Sequence, residues 1–174
     1  MRVAIDVRKI DDFGVGTYVR NLLHWLARLD QKTEYLLVCR RSDCERLEAL
    51  GPNFRPLPNR SKNYSIAEQL TVPLGLMGNG VDLFHAPHYV LPALTPCRAI
   101  VTIHDCIHLM FPEYLPGRIA HLYARIAFWI ATQRSSRVLT VSVSQSTPQW
   151  GYSAPEALIR ENDKAETVLF QTCY

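Results

Sequence analysis

Short, nearly continuous apolar runs alternate with amphipathic stretches along most of this chain. Val3-Ala4-Ile5-Asp6-Val7 is rich in β-branched residues and predicts a strand. The polar loop after it carries Asp11-Asp12-Phe13-Gly14-Val15-Gly16. Val19, Leu22, Leu23, Leu26 and Leu29 then recur at helical spacing, which predicts an amphipathic helix. Tyr35-Leu36-Leu37-Val38-Cys39 predicts a second strand. Ser42 with Glu45, and Ser65 with Glu68, have the spacing of capping boxes. They predict a short helix to Leu50 and a longer one toward Met77, kinked at Pro73 and capped by Gly78. Pro52, Pro56 and Pro58 leave 51–63 as loop, with at most an edge strand around 54–57.

Strands are predicted again at 81–85 and 99–104, each apolar until its last residues. From Arg118, the positions Ile119, Leu122, Tyr123, Ile126, Ala127, Ile130 and Ala131 hold a clean helical repeat to about Arg134. Arg137-Val138-Leu139-Thr140-Val141-Ser142 is the last expected strand. Strands of this kind, separated by helices, imply an α/β fold with a doubly wound, mostly parallel, Rossmann-like sheet. After Ser146 the pattern stops: 147–155 reads as loop and 156–160 as one or two helical turns. The expected organisation is therefore a domain over 1–146 and an atypical tail over 147–174.

A length of 174 residues suits one large domain, and 48% hydrophobic residues are enough for a real core. The net charge of +3 comes from scattered basic residues, with only Arg40-Arg41 adjacent, so a nucleic-acid-binding surface is not indicated. Cys39, Cys44, Cys97, Cys106 and Cys173 are odd in number and form no C-x-x-C, which reads as reduced thiols in a cytoplasmic protein. Asp6 interrupts any leader-like run, and no stretch is long and apolar enough to span a bilayer.

Ligands of open parallel sheets bind beyond the carboxyl ends of the strands, where loops and helix N-termini present backbone amides. Four places qualify: Gly14-Val15-Gly16-Thr17-Tyr18, His85-Ala86-Pro87-His88, His104-Asp105 and Ser142-Val143-Ser144. The glycine loop suits an anion cradle or a tight turn. It is no dinucleotide fingerprint, because Val19 stands where a third glycine belongs. His85-x-x-His88 and His104-x-x-x-His108 have ligand-like spacing without the helix that would aim both rings at one ion, so no metal is assigned. His104 and Asp105 are the catalytic candidates, against a reading of His104 as a capping residue. Cys106 is discounted as a nucleophile and Glu113 as a base. Tyr89, Phe111 and Tyr114 either line an acceptor pocket or pack loops.

The combination of Ile5-Asp6-Val7-Arg8, Gly14-Val15-Gly16-Thr17-Tyr18, Val81-Asp82-Leu83-Phe84-His85-Ala86-Pro87, Val101-Thr102-Ile103-His104-Asp105, Phe111-Pro112 and Arg137-Val138-Leu139-Thr140-Val141-Ser142 resembles the N-terminal domain of the GT-B glycosyltransferases of family 4. The resemblance covers roughly 1–146. It implies one half of a two-domain enzyme that transfers a sugar from a nucleotide-sugar donor with retention, without a bound metal or other cofactor. The first half of such enzymes binds mainly the acceptor, a glycan or a lipid-linked saccharide, and the second binds the donor. The resemblance also implies that Gly14, Val15 and Gly16 lie against donor diphosphate and acceptor, with Tyr18 and His85 nearby. His104 would contact the transferred sugar and Ser142 would line the cleft floor.

The tail over 147–174 departs from the family continuation, so a truncated or frame-shifted chain, or a half-enzyme needing a partner chain with the donor domain, is expected to be inactive alone. Many relatives act on lipid-linked acceptors, which leaves peripheral contact with the inner membrane face open. Two other readings stand beside this one. The first is a small NADP-dependent oxidoreductase with Arg40-Arg41 at a 2′-phosphate. The second is a non-catalytic Rossmann-like module that docks a partner.

Overall fold

The computed structural model of the chain describes residues 1–140. Strands and helices alternate as β1 (Arg2–Asp6), α1 (Val15–Leu29), β2 (Glu34–Cys39), α2 (Cys44–Glu48), β3 (Phe54–Pro58), α3 (Glu68–Gly78), β4 (Leu83–Ala86), β5 (Arg98–Ile103), α4 (Ile107–Met110), α5 (Arg118–Arg134) and β6 (Arg137–Thr140). Single 3-10 turns lie at Arg41–Asp43 and Pro112–Tyr114. Every strand pairing described in either unit is parallel. This is the α/β class that the sequence pattern predicts. The residues fall into two compact units, one of Met1–Pro87 with Pro92–Ala99, the other of His88–Leu91 with the chain from Ile100 onward.

In the first unit the strands lie in the order β3-β2-β1-β4. Strand β1 is central: Ala4 pairs with Leu36 on one side and with Phe84 on the other. Ala4, Ile5, Leu37 and Phe84 are all essentially inaccessible, which is why these runs are continuously apolar instead of alternating. Helix α1 turns Tyr18, Val19 and Leu23 into this core. The proline-rich stretch does form the edge strand that 54–57 allowed: Phe54 to Pro58 pair with Tyr35 to Cys39. Pro56 and Pro58 are tolerated there because β3 hydrogen-bonds on one side only within this unit.

Neither capping box forms. Helix α2 is preceded by Asp43 and makes no side-chain cap, while the Ser42 hydroxyl donates to Asp43 at 3.4 Å. Helix α3 starts at Glu68, so the residue expected to close a box is in its first turn; the Ser65 hydroxyl instead donates to the Lys62 carbonyl at 2.6 Å. Glu68 has a buried cation to meet, which outweighs a cap that water can replace. Pro73 lies inside α3, and Gly78 is its last residue, with Asn79 as the cap.

In the second unit β5 pairs with β6 from Ile100 opposite Arg137 to Ile103 opposite Thr140. Helix α5 occupies the residues its repeat predicts, but the buried face is built of Ala124, Ala127, Phe128, Ala131 and Thr132. Ile119, Leu122, Ile126 and Trp129 point outward, Ile119 with 86% of its surface exposed. The inward face is thus mostly small residues around Phe128, on whose ring Tyr89 stacks, ring centroids 4.2 Å apart and planes within 11°. The expected loop after β5 contains α4 and a 3-10 turn. Among the described residues no helix is long and apolar enough to cross a membrane. Val141, Ser142, the loop expected over 147–155 and the turns expected over 156–160 lie outside the described residues.

Candidate functional site

The glycine loop follows β1 after a turn in which the Ile10 amide donates to Val7 and the Asp12 amide to Lys9. Gly14 sits at φ +63°, a conformation that disfavours a side chain, and starts α1. Gly16 has a separate reason: a Cβ there would stand 2.6 Å from the Ile10 carbonyl oxygen and 3.0 Å from that of Lys9. Its missing side chain thus lets the helix start pass against the chain's own backbone. The amides of Val15 and Gly16 donate to the Phe13 and Asp12 carbonyls at 2.7 and 2.9 Å. The loop is closed by its own hydrogen bonds, and Phe13 at its tip is fully exposed. Helix α1 then brings Tyr18 to the end of β4, where its ring meets that of His85 edge-on, centroids 6.3 Å apart. Gly14, Val15, Gly16, Tyr18 and His85 are thereby assembled in one unit.

Beneath the ends of β1 and β3 lies a charged group that the sequence patterns do not single out. The Arg8 guanidinium donates from Nε and Nη2 to both oxygens of Asp6, at 2.9 and 2.6 Å, and from Nη2 to Glu68 Oε2 at 3.0 Å. Its Nη1 donates to the Ser61 hydroxyl at 3.1 Å. The side chains of Arg8 and Asp6 are 3% exposed and that of Glu68 is 1%. Burial acts against the charge on Arg8, but Asp6 and Glu68 outweigh it and hold the guanidinium protonated well beyond its ordinary range. The available sequence signal is an aspartate closing an apolar strand with an arginine two residues on. Glu68 is 60 positions away from Arg8, and no local pattern links them.

In the second unit His104 is half-buried just after β5 and Asp105 is exposed. Asp105 Oδ1 accepts the Ile107 amide at 3.1 Å, so its carboxylate supports the first turn of α4. Burial, then the charge of Asp105, pushes the Cys106 thiol up to about 11, which keeps it protonated at neutral pH and removes its nucleophilic form. His108 Nδ1 is 2.7 Å from the Tyr89 hydroxyl. Tyr89 is thus engaged with His108 and Phe128, while the Phe111 and Tyr114 rings lie 5.8 Å apart. Among the described residues no group of three or more His, Cys, Asp or Glu side chains could hold a metal ion. Cys39, Cys44, Cys97 and Cys106 are free thiols, and Cys173 and Ser142 lie outside the described residues.

Parallel strands joined by helical crossovers define a Rossmann-like α/β fold. Against solved structures, the chain is similar to the crystal structure of UDP-glucose: anthocyanidin 3-O-glucosyltransferase in complex with UDP, at a TM-score of 0.59 and 12% identity. The match covers 97% of this chain and 52% of that one, so the chain spans about half the length of that relative. At such identity the likeness is one of fold. The family is settled by sequence: the model of Glycosyltransferase Family 4 matches residues 14–146, and the chain belongs to that family. No curated protein matches the sequence.

Proposed function

We propose that this chain is the acceptor side of a retaining, nucleotide-sugar-dependent glycosyltransferase, with residues 1–146 as its N-terminal domain. The observation that carries this reading is the family match over 14–146, which begins at the glycine loop and runs through His85, His104 and Asp105. In this reading Tyr18 and His85, whose buried rings meet edge-on, support the floor beneath the acceptor and do not form its open surface. The loop at Gly14-Val15-Gly16 brings bare backbone toward donor diphosphate and acceptor. His104 contacts the transferred sugar, Asp105 fixes the turn that follows it, and Ser142 belongs to the cleft floor.

Transfer with retention passes through a transition state of oxocarbenium character, and groups fixed in advance around the departing diphosphate and the sugar supply much of the rate. A nucleotide-sugar-binding half, from a partner chain or a continuation of this one, would complete the enzyme. The isolated chain is then expected to bind glycan or lipid-linked acceptors on an array, to retain neither UDP-glucose nor GDP-mannose in equilibrium dialysis, and to release no UDP from UDP-glucose. Retention of a nucleotide sugar without binding of any saccharide would overturn the acceptor-side assignment. Turnover by the pure chain would overturn the need for a second half. The NADP reading rests on Arg40-Arg41 alone, and the family assignment leaves it without support.

A further inference from the structure

A cleft of about 420 Å³ opens where β1, β2 and β3 end in the first unit. Its wall is Arg8 from the end of β1, Arg40 and Arg41 from the end of β2, and Asn59, Arg60, Ser61, Lys62 and Asn63 from the end of β3. Five cations and no carboxylate line it. Two of the five are already engaged: Arg8 by Asp6 and Glu68, and Arg40 by Asp43 and Asp11. Arg41, Arg60 and Lys62 form no ion pair or side-chain hydrogen bond among the described residues. Three cations with no counter-charge, converging on one concave surface, repel one another and lower that cost by taking up an anion.

Two further features mark the cleft as built for a ligand. The loop that carries Arg60 and Lys62 is fixed, since the Asn59 amide donates to the Cys39 carbonyl at 2.8 Å and the Asn59 side chain accepts the Ser61 amide at 2.9 Å. Arg8 holds Ser61 from below at 3.1 Å. The cations are thus presented by a prepared surface, which reduces the ordering that binding must impose. In addition, Asn63 lines the cleft, and its side-chain oxygen is buried with no hydrogen-bond partner among the described residues. A buried acceptor of this kind is costly unless a donor meets it. A phosphate offers it at most the proton left on an oxygen that the cations compete for, whereas a sugar or polyol offers several hydroxyl donors.

We infer that this cleft binds the phosphate of a phosphorylated sugar or polyol, with Arg41, Arg60 and Lys62 on the phosphate and Asn63 on a hydroxyl. The inference rests on the acceptor-side reading in one respect, that the bound molecule is the acceptor; the anion site itself stands on the cleft alone. The same phosphate chemistry is found in a soluble sugar phosphate and in the headgroup of a phospholipid.

The test is titration of the full chain with glucose 1-phosphate, inorganic phosphate and glucose, followed through backbone amide resonances. Glucose 1-phosphate and phosphate are expected to shift residues 40–41 and 59–63, glucose 1-phosphate binding the tighter, and glucose to shift none. The double variant Arg41→Ala, Arg60→Ala should weaken glucose 1-phosphate at least tenfold with an unchanged melting temperature, because both residues are exposed and form no ion pair among the described residues. Asn63→Ala should weaken glucose 1-phosphate and leave inorganic phosphate unchanged. Unaltered affinity in the double variant, or glucose binding as tightly as its phosphate, overturns the inference. So does NADPH bound a hundredfold more tightly than glucose 1-phosphate at the same residues, since the cleft would then be a cofactor site. Sedimentation with phosphatidylinositol vesicles, lost in the double variant, assigns the phosphate to a lipid headgroup; binding of glucose 1-phosphate without vesicle retention assigns it to a soluble acceptor. Saccharide binding on an array with no response to phosphate leaves the acceptor-side reading standing and removes this inference. Phosphate binding with no saccharide binding does the reverse.

Discussion

Arg8 and Arg40 each hold two carboxylates at the ends of neighbouring strands, yet the side chain of Arg8 is 3% exposed and that of Arg40 is 46%. Arg8 with Asp6 and Glu68 is shut away from water, so each charge depends on the others for its solvation. Arg40 shares Asp11 and Asp43 with Arg46, whose guanidinium lies 3.0 Å from each. Water can replace any member of that exposed set. Ion pairs of the same kind therefore carry unequal consequences, and burial decides which charges the fold cannot lose. The same contrast separates structure from binding at this edge: the buried set braces Ser61 and the loop after β3, whereas the cations left over at the surface are available to a ligand.

Removing one buried partner is the strongest way to test the contrast. Arg8→Ala strands two carboxylates without a counter-ion and is expected to cost about 3–5 kcal/mol. Arg46→Ala in the exposed set is expected to cost less than about 1 kcal/mol. Urea denaturation midpoints of the two variants, at equal slope, provide the measurement. Comparable losses in both would show that burial is not what distinguishes the two groups.

Confinement can be separated from charge at Gly16. Its added Cβ in Gly16→Ala would meet the Ile10 carbonyl oxygen at 2.6 Å, and that oxygen belongs to backbone, which yields less readily than a side chain. A loss of about 1–3 kcal/mol is expected, the usual range for overpacking. Gly78→Ala is the control, because a Cβ there meets nothing within 4 Å and alanine favours the helix. A Gly16→Ala variant as stable as the parent would mean that the loop can move away from Ile10, and that its glycine answers to a ligand instead of to the fold.

Much of the architecture was legible because buried parallel strands are continuously apolar, and the runs at 3–7, 35–39 and 99–104 are each within a residue or so of a strand that forms. The edge strand over Phe54–Pro58 was half legible: its prolines argue against a strand anywhere except at an edge. The repeat in α5 marked a helix but not the face it buries, since the partner, Tyr89, is brought in from a distant loop. At the candidate sites the same rule holds. Tyr18 and His85 were readable one by one from strand and helix ends, but their contact depends on β4 lying beside β1. Arg40-Arg41 was visible as a pair, whereas its grouping with Arg60 and Lys62 follows from β3 lying beside β2. Strand order is a long-range property, and it is strand order that turns separate loops into one cleft.

The smallest effect belongs to Asp11, and it sharpens the contrast through pH. Hydrogen bonds from Arg46, opposed by slight burial and joined by Arg40, hold the Asp11 carboxyl below its ordinary value of 3.8. A group whose folded pKa is depressed contributes stability that is complete above its unfolded value and is lost as pH falls through the folded one. The difference between the parent and Asp11→Asn should therefore be constant from neutral pH down to about pH 4 and shrink below it. Because Asp11 is half exposed, that difference should stay under about 1 kcal/mol and fade further in 1 M salt, where screening acts over about 3 Å. Denaturation at pH 7 and pH 3, each at low and high salt, measures it. An Asp11→Asn loss that persists in 1 M salt would place this pair in the same regime as Arg8 and would break the distinction between solvated and buried charge on which the reading of the cleft depends.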